Sequence, residues 1–80
     1  MRIQKAIVKR IINLCHVHSI SFYQLSILSA VPPSTIKNII NGKTKNPGIV
    51  TLKKICDGLG LSIQDFFDDS VFNDIEQEIL

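Results

Sequence analysis

Along the N-terminal stretch, Ile3, Ile7, Ile11 and Leu14 recur at steps of four, four and three. That spacing makes one face of a helix, and Val8, Ile12 and Cys15 widen it. The pattern predicts a first helix from about residue 2 to about residue 17. Ser21 opens the next run, SFYQLSIL, with Gln24 at capping-box spacing, so a second helix starts there. SAVPP ends it, because a residue before proline avoids the helical region and Val31 is expected to be extended. Pro33 suits the first position of a third helix, with Pro32 at its cap and Asn41-Gly42 as its stop. Between them Ile36, Ile39 and Ile40 fall on one side, and Pro33, Ser34, Lys37, Asn38 and Asn41 on the other. A helix this short is marginal alone, so the isoleucines must dock it and leave the polar stripe facing outward. A fourth helix is expected near residues 48–58, with Ile49, Leu52, Ile55, Cys56 and Leu59 apolar and Gly58 and Gly60 marking its end. Ser62 and Asp65 cap a fifth, short helix. Ser70 opens a sixth, in which Val71, Ile75 and Ile79 are spaced by four. Every substantial segment is helical, so the fold class is all-α, with five to six short helices.

Eighty residues at 45% hydrophobic content make one domain and argue against disorder. No apolar run approaches the roughly 18 residues of a membrane span. The opening MRIQKAIVKRIINLC carries Arg2, Lys5, Lys9 and Arg10 through its apolar positions, unlike a secretory signal. A cytoplasmic protein without a membrane partner is expected.

The net charge of +2 hides a segregation. All nine Lys and Arg residues lie between Arg2 and Lys54, and all seven acids between Asp57 and Glu78. A basic body of that kind suits a polyanionic partner. Cys15 and Cys56 are expected to be reduced, buried and structural.

The order of parts resembles the lambda-repressor and Cro-like (XRE-type) helix-turn-helix family of transcriptional regulators. The resemblance covers roughly residues 5 to 68. It rests on Leu25, the turn at Ala30-Val31, STIKNIINGK from Ser34 to Lys43, Pro47, and the ending TLKKICDGLGLSIQDFF. It implies a compact lambda-repressor-like DNA-binding domain at residues 1–68, a helix-turn-helix at about residues 21–41, and an acidic amphipathic tail at 69–80.

Three departures from the family pattern bear on the site. The usual phosphate-binding Gln at the second position of the second helix is Phe22 here, so that contact is either lost or made by the backbone amide alone. The third helix starts Pro32-Pro33 rather than with Ser or Thr and a polar residue. Where many members pair an arginine of the first helix with a glutamate near the third helix's end, this chain has Cys15 and Ile40. Replacing both partners of a buried ion pair together is tolerated far better than losing one, so Cys15 and Ile40 are expected to lie close and buried.

In helix-turn-helix proteins the second helix of the motif enters the major groove with its N-terminal residues nearest the bases. The resemblance therefore makes Pro33, Ser34, Thr35, Lys37 and Asn38 the candidate base contacts. Asn pairs bidentately with adenine, Ser serves several bases, and Pro33 can pack on a thymine methyl. Lys37 could reach guanine or a phosphate, and Thr35 could face the bases, a phosphate or the protein. The candidate phosphate contacts are Ser21, Phe22, Asn41, Lys43, Thr44 and Lys45, with backbone amides after Gly42. Individually, Asn41 also suits a C-cap and the two lysines a solvated loop. The expected partners are double-stranded DNA and a second copy of the chain, with no small-molecule effector domain. The expected role is a small transcriptional repressor.

Other chemistry finds less support. Cys15, His16 and His18 in CHVH could join Cys56 as zinc ligands, but His16 points about 100° away from the face that Cys15 and His18 share. No metal or other cofactor is expected. The acids lie away from the histidines and no glycine-rich phosphate cradle appears, so the chain does not read as an enzyme. The alternative is an antitoxin-like or protein-interaction module, or a dimer element, built on the tail DDSVFNDIEQEIL, where Val71, Phe72, Ile75, Ile79 and Leu80 also suit the protein's own core.

Overall fold

The computed structural model describes residues 1–79; Leu80, the last apolar position of the expected tail, lies outside them. Five α-helices follow in order: α1 (Ile3–Val17), α2 (Phe22–Ser29), α3 (Pro33–Ile40), α4 (Ile49–Leu59) and α5 (Ile63–Phe67). A 3-10 turn at Ser70–Phe72 completes the chain's regular structure.

The core is drawn from all five helices. Ile7, Ile11, Leu14 and Cys15 of α1 meet Leu25 of α2, Ile36 and Ile39 of α3, Leu52, Ile55, Cys56 and Leu59 of α4, and Phe66 of α5. The α1 stripe is narrower than its sequence suggests, since Ile12 is 43% exposed. Ile49 also stays in solvent at the start of α4, as does its neighbour Val50. Burial pushes the thiol pKa of Cys15 up, and burial followed by the neighbouring Asp57 carboxylate does the same for Cys56, so both stay protonated and unreactive.

Tight turns join the helices. Ser19 and Ala30 both adopt left-handed backbone at φ 56°. After each, the next amide reaches back five residues: Ile20 N–H donates to the Cys15 carbonyl at 3.0 Å, and Val31 N–H to that of Ser26 at 3.2 Å. Reciprocal capping boxes start α2, through Ser21 and Gln24, and α5, through Ser62 and Asp65.

Two expectations need correction. Gly58 lies inside α4, and only Gly60, at φ +74°, ends the helix. A Cβ on Gly58 would sit 2.9 Å from the backbone of Leu28 and Ser29, so this glycine is where α4 crosses α2 at close range. The buried Ser26 and Ser29 give the matching small surface on α2, and their hydroxyls donate back to the Tyr23 and Leu25 carbonyls.

The sixth helix does not form. Asp69, rather than Ser70, caps a single 3-10 turn by accepting from Val71 N–H at 2.9 Å. The following residues run back along the start of α1. Glu76 N–H donates to the Met1 carbonyl, and Arg2 reaches the Gln77 carbonyl and the Glu78 carboxylate. Those long-range bonds within the chain satisfy backbone groups that a short, marginal helix would otherwise pair internally. Val71, Phe72 and Ile75 are half-buried, with Phe72 against Phe66 and Phe67, while Ile79 is 80% exposed.

Candidate nucleic-acid interface

α3 is held from beneath. Ile36 and Ile39 are buried, and Val31 anchors the turn before the helix. Pro32 and Pro33 fix the entry: the Pro32 carbonyl accepts from the amides of Thr35 and Ile36 at 2.9 and 3.1 Å. With the inner face docked, Pro33, Ser34, Lys37, Asn38 and Asn41 are all exposed, as their spacing predicts. Thr35 is half-buried between the two faces.

Ile40 departs from expectation. Cys15 is buried, but Ile40 is only half-buried and lines two surface hollows. At the last helical position it packs against the core that holds Cys15 without being enclosed by it, so the expectation that both residues are buried fails at Ile40. One hollow, of about 390 Å³, is lined by Phe22, Tyr23, Pro33, Lys37, Ile40 and Asn41. It puts Phe22, at the first turn of α2, beside the outward stripe of α3. Phe22 has no side-chain donor, and its open polar group is the backbone amide.

Ser21 is partly committed. Its amide donates to Gln24 Oε1 at 2.8 Å, and its Oγ accepts from Gln24 N–H at 3.1 Å. The hydroxyl proton stays free to donate, and the open amides at this helix end belong to Phe22 and Tyr23.

The basic loop is more rigid than a solvated connection. Gly42 takes φ +82°, a left-handed turn that glycine reaches without strain. Lys43 N–H donates to Asn41 Oδ1 at 3.1 Å, and Thr44 N–H to the Asn38 carbonyl at 3.0 Å. Those two amides are therefore engaged within the loop, and a backbone donor to a phosphate after Gly42 must come from Lys45 or beyond. The Lys43 and Lys45 ammonium groups, the Asn41 side-chain amide and the half-buried Thr44 hydroxyl remain as donors. Gln4 of α1 then staples the loop from the side, its Nε2 donating to the Gly42 and Thr44 carbonyls at 3.3 and 3.1 Å. Nothing local in the sequence signals Gln4, because its partners lie 38 and 40 residues away.

The cations divide into two groups. Arg2, Arg10 and Lys53 have carboxylate partners in Glu78, Asp69 and Asp57. Arg10 is a structural tie: its side chain is 12% exposed, and it also donates to the Phe66 and Asp65 carbonyls at 2.7 and 2.9 Å. Lys5, Lys9, Lys37, Lys43, Lys45 and Lys54 have no carboxylate within ion-pair distance among the described residues. Three of these six, Lys37, Lys43 and Lys45, belong to α3 and its loop.

A model of the Cro/C1-type HTH DNA-binding domain matches residues 10–70. The chain belongs to that family. No curated protein and no solved structure matches it. The matched span contains all of α2 to α5 and the basic loop, and begins at Arg10 inside α1. The Cys15, His16, His18 and Cys56 set does not converge, since both cysteines are buried and both histidines exposed. Among the described residues no group of three or more His, Cys, Asp or Glu could hold a metal. No single helix is long and apolar enough to cross a membrane.

Proposed function

We propose that this protein is a small cytoplasmic transcriptional repressor, without enzymatic activity, that binds a specific double-stranded DNA site through α3. The observation that carries the reading is the polar stripe of α3, exposed along its length and flanked by a loop whose lysines lack carboxylate partners among the described residues. In the major groove, Ser34 and Asn38 read base edges, Pro33 meets a thymine methyl, and Lys37 and Thr35 complete the contact. Ser21, the Phe22 amide, Asn41, Lys43, Thr44 and Lys45 hold phosphates on either side, setting register and affinity without reading sequence. The protein acts as a homodimer, because two recognition helices about 34 Å apart match successive major grooves. Occupying a promoter is then sufficient to repress.

The test is a fluorescence-anisotropy titration of random-sequence duplex DNA at several salt concentrations. Wild type is expected to bind with a steep negative salt slope, and Lys43→Ala/Lys45→Ala to flatten it by about 1.8, or about 0.9 per lost phosphate contact. Absence of wild-type binding at low salt sinks the proposal.

A further inference from the structure

The second hollow beside α3, of about 360 Å³, lies where the first turns of α1 meet the end of α3 and the basic loop. Val8 and Ile40 supply its apolar lining, and Gln4, Lys5, Asn41 and Lys45 its polar lining. Its only ionisable side chains are two lysines, both exposed, and neither has a carboxylate partner among the described residues. Two like charges facing one concavity with no counter-charge repel each other and concentrate anions. The loop wall is immobilised, because Gln4 holds the carbonyls of Gly42 and Thr44. Lys45 is therefore presented to the hollow from a fixed backbone, and Lys5 of α1 lines the same hollow.

We infer that this hollow is a phosphodiester site, in which Lys5 of α1 and Lys45 of the loop clasp one DNA backbone phosphate, with the Asn41 side-chain amide as a third donor. The inference rests on the DNA-binding reading above and extends the interface onto the N-terminal turns of α1. Lys5 lies outside residues 10–70, the segment that the family model matches, whereas Asn41 and Lys45 lie within it.

The experiment uses the same salt-dependent titration with Lys5→Ala, Lys5→Arg and Lys54→Ala, the last removing an equal charge from α4. Lys5→Ala is expected to make the slope less negative by about 0.9, Lys5→Arg to keep the wild-type slope, and Lys54→Ala to change it by less than half as much. Thermal melts should coincide, because both positions are exposed. If wild type binds with a steep slope and Lys5→Ala runs parallel to it, this inference falls and the DNA-binding reading stands. If wild type does not bind, both fall. An equal loss in Lys54→Ala overturns the site in favour of net charge. Inorganic phosphate titrated at constant ionic strength separates the remaining source. Saturable NMR shifts at residues 42–45 with an unchanged Lys5→Ala slope on DNA would assign the hollow to a free anion and overturn the proposal.

Discussion

At the residue scale, the turn between α2 and α3 depends on Ala30, whose φ of 56° is left-handed. An L-residue with a Cβ pays about 1–2 kcal/mol there. Glycine avoids that cost but loses roughly 0.5–1 kcal/mol more backbone entropy on folding. The difference favours glycine, so Ala30→Gly is expected to stabilise the domain by about 0.5–1 kcal/mol. For a chain of this size that is a rise of about 2–8 °C in Tm, read by circular dichroism. A lower Tm would mean that the turn is held by the Val31 back-bond and side-chain burial rather than limited by Ala30. The choice of alanine was legible as a turn position from the prolines that follow it. Its left-handed backbone was not, because alanine carries no preference for that region. Gln4 shows the same limit: a long-range hydrogen bond to two carbonyls has no local signature. Arg10 shows the converse error. Counted by charge it belongs to the basic body, yet its guanidinium is spent on Asp69 and two carbonyls at the end of α5.

At the element scale, α2 and α4 approach so closely that one methyl group decides their spacing. Replacing Gly58 by alanine gains about 1 kcal/mol of helix propensity but drives a Cβ to 2.9 Å from backbone atoms of Leu28 and Ser29. Backbone cannot rotate away, so the helices must shift, and overpacking against backbone costs about 2–3 kcal/mol, the upper part of the usual range. Gly58→Ala is expected to lower stability by about 1–2 kcal/mol in urea unfolding. Gly48→Ala meets nothing within 4 Å, and its loss of N-cap preference is offset by the lower entropy of the unfolded chain, so it should stay within a few tenths. Equal midpoints for the two variants would refute the close crossing. The helices themselves were legible from apolar spacing, from the caps at Ser21 and Ser62 and from Pro33 at the first position of α3, because those signals are local. Gly58 was misread as a stop for the same reason. A glycine near a helix end and a glycine at a crossing look alike until the partner helix is in place. The outward stripe of α3 was legible because two buried isoleucines fix the rotation of a helix of eight residues.

At the scale of the whole molecule, the acidic tail closes the protein on itself. Its periodicity suggested a sixth helix free to find a partner, but the helix competes with α1 and loses. Arg2 offers a carbonyl partner and a charge partner at once, and Phe72 is drawn into the aromatic cluster with Phe66 and Phe67, ring centroids 6.2 and 4.9 Å away. The two halves of the tail therefore carry different weight. Residues after Asn73 contribute exposed ion pairs, worth about 0–1 kcal/mol, and the partial burial of Ile75. Residues 70–72 contribute Phe72, whose removal from an aromatic cluster costs about 3 kcal/mol or more if it empties a packed site. Ending the chain after Asn73 is expected to lower Tm by less than about 8 °C, whereas ending it after Asp69 should lower it at least twice as far. Sedimentation of the shorter loss, the chain ending at Asn73, discriminates what the tail does. A self-closing tail leaves the oligomeric state and random-duplex binding in place, and the loss of Asp74, Glu76 and Glu78 makes that binding stronger by raising the formal net charge from +2 to +5. Conversion of a dimer to a monomer by that truncation would restore the tail as an association element. The exposed Ile79 would then be the first residue to substitute.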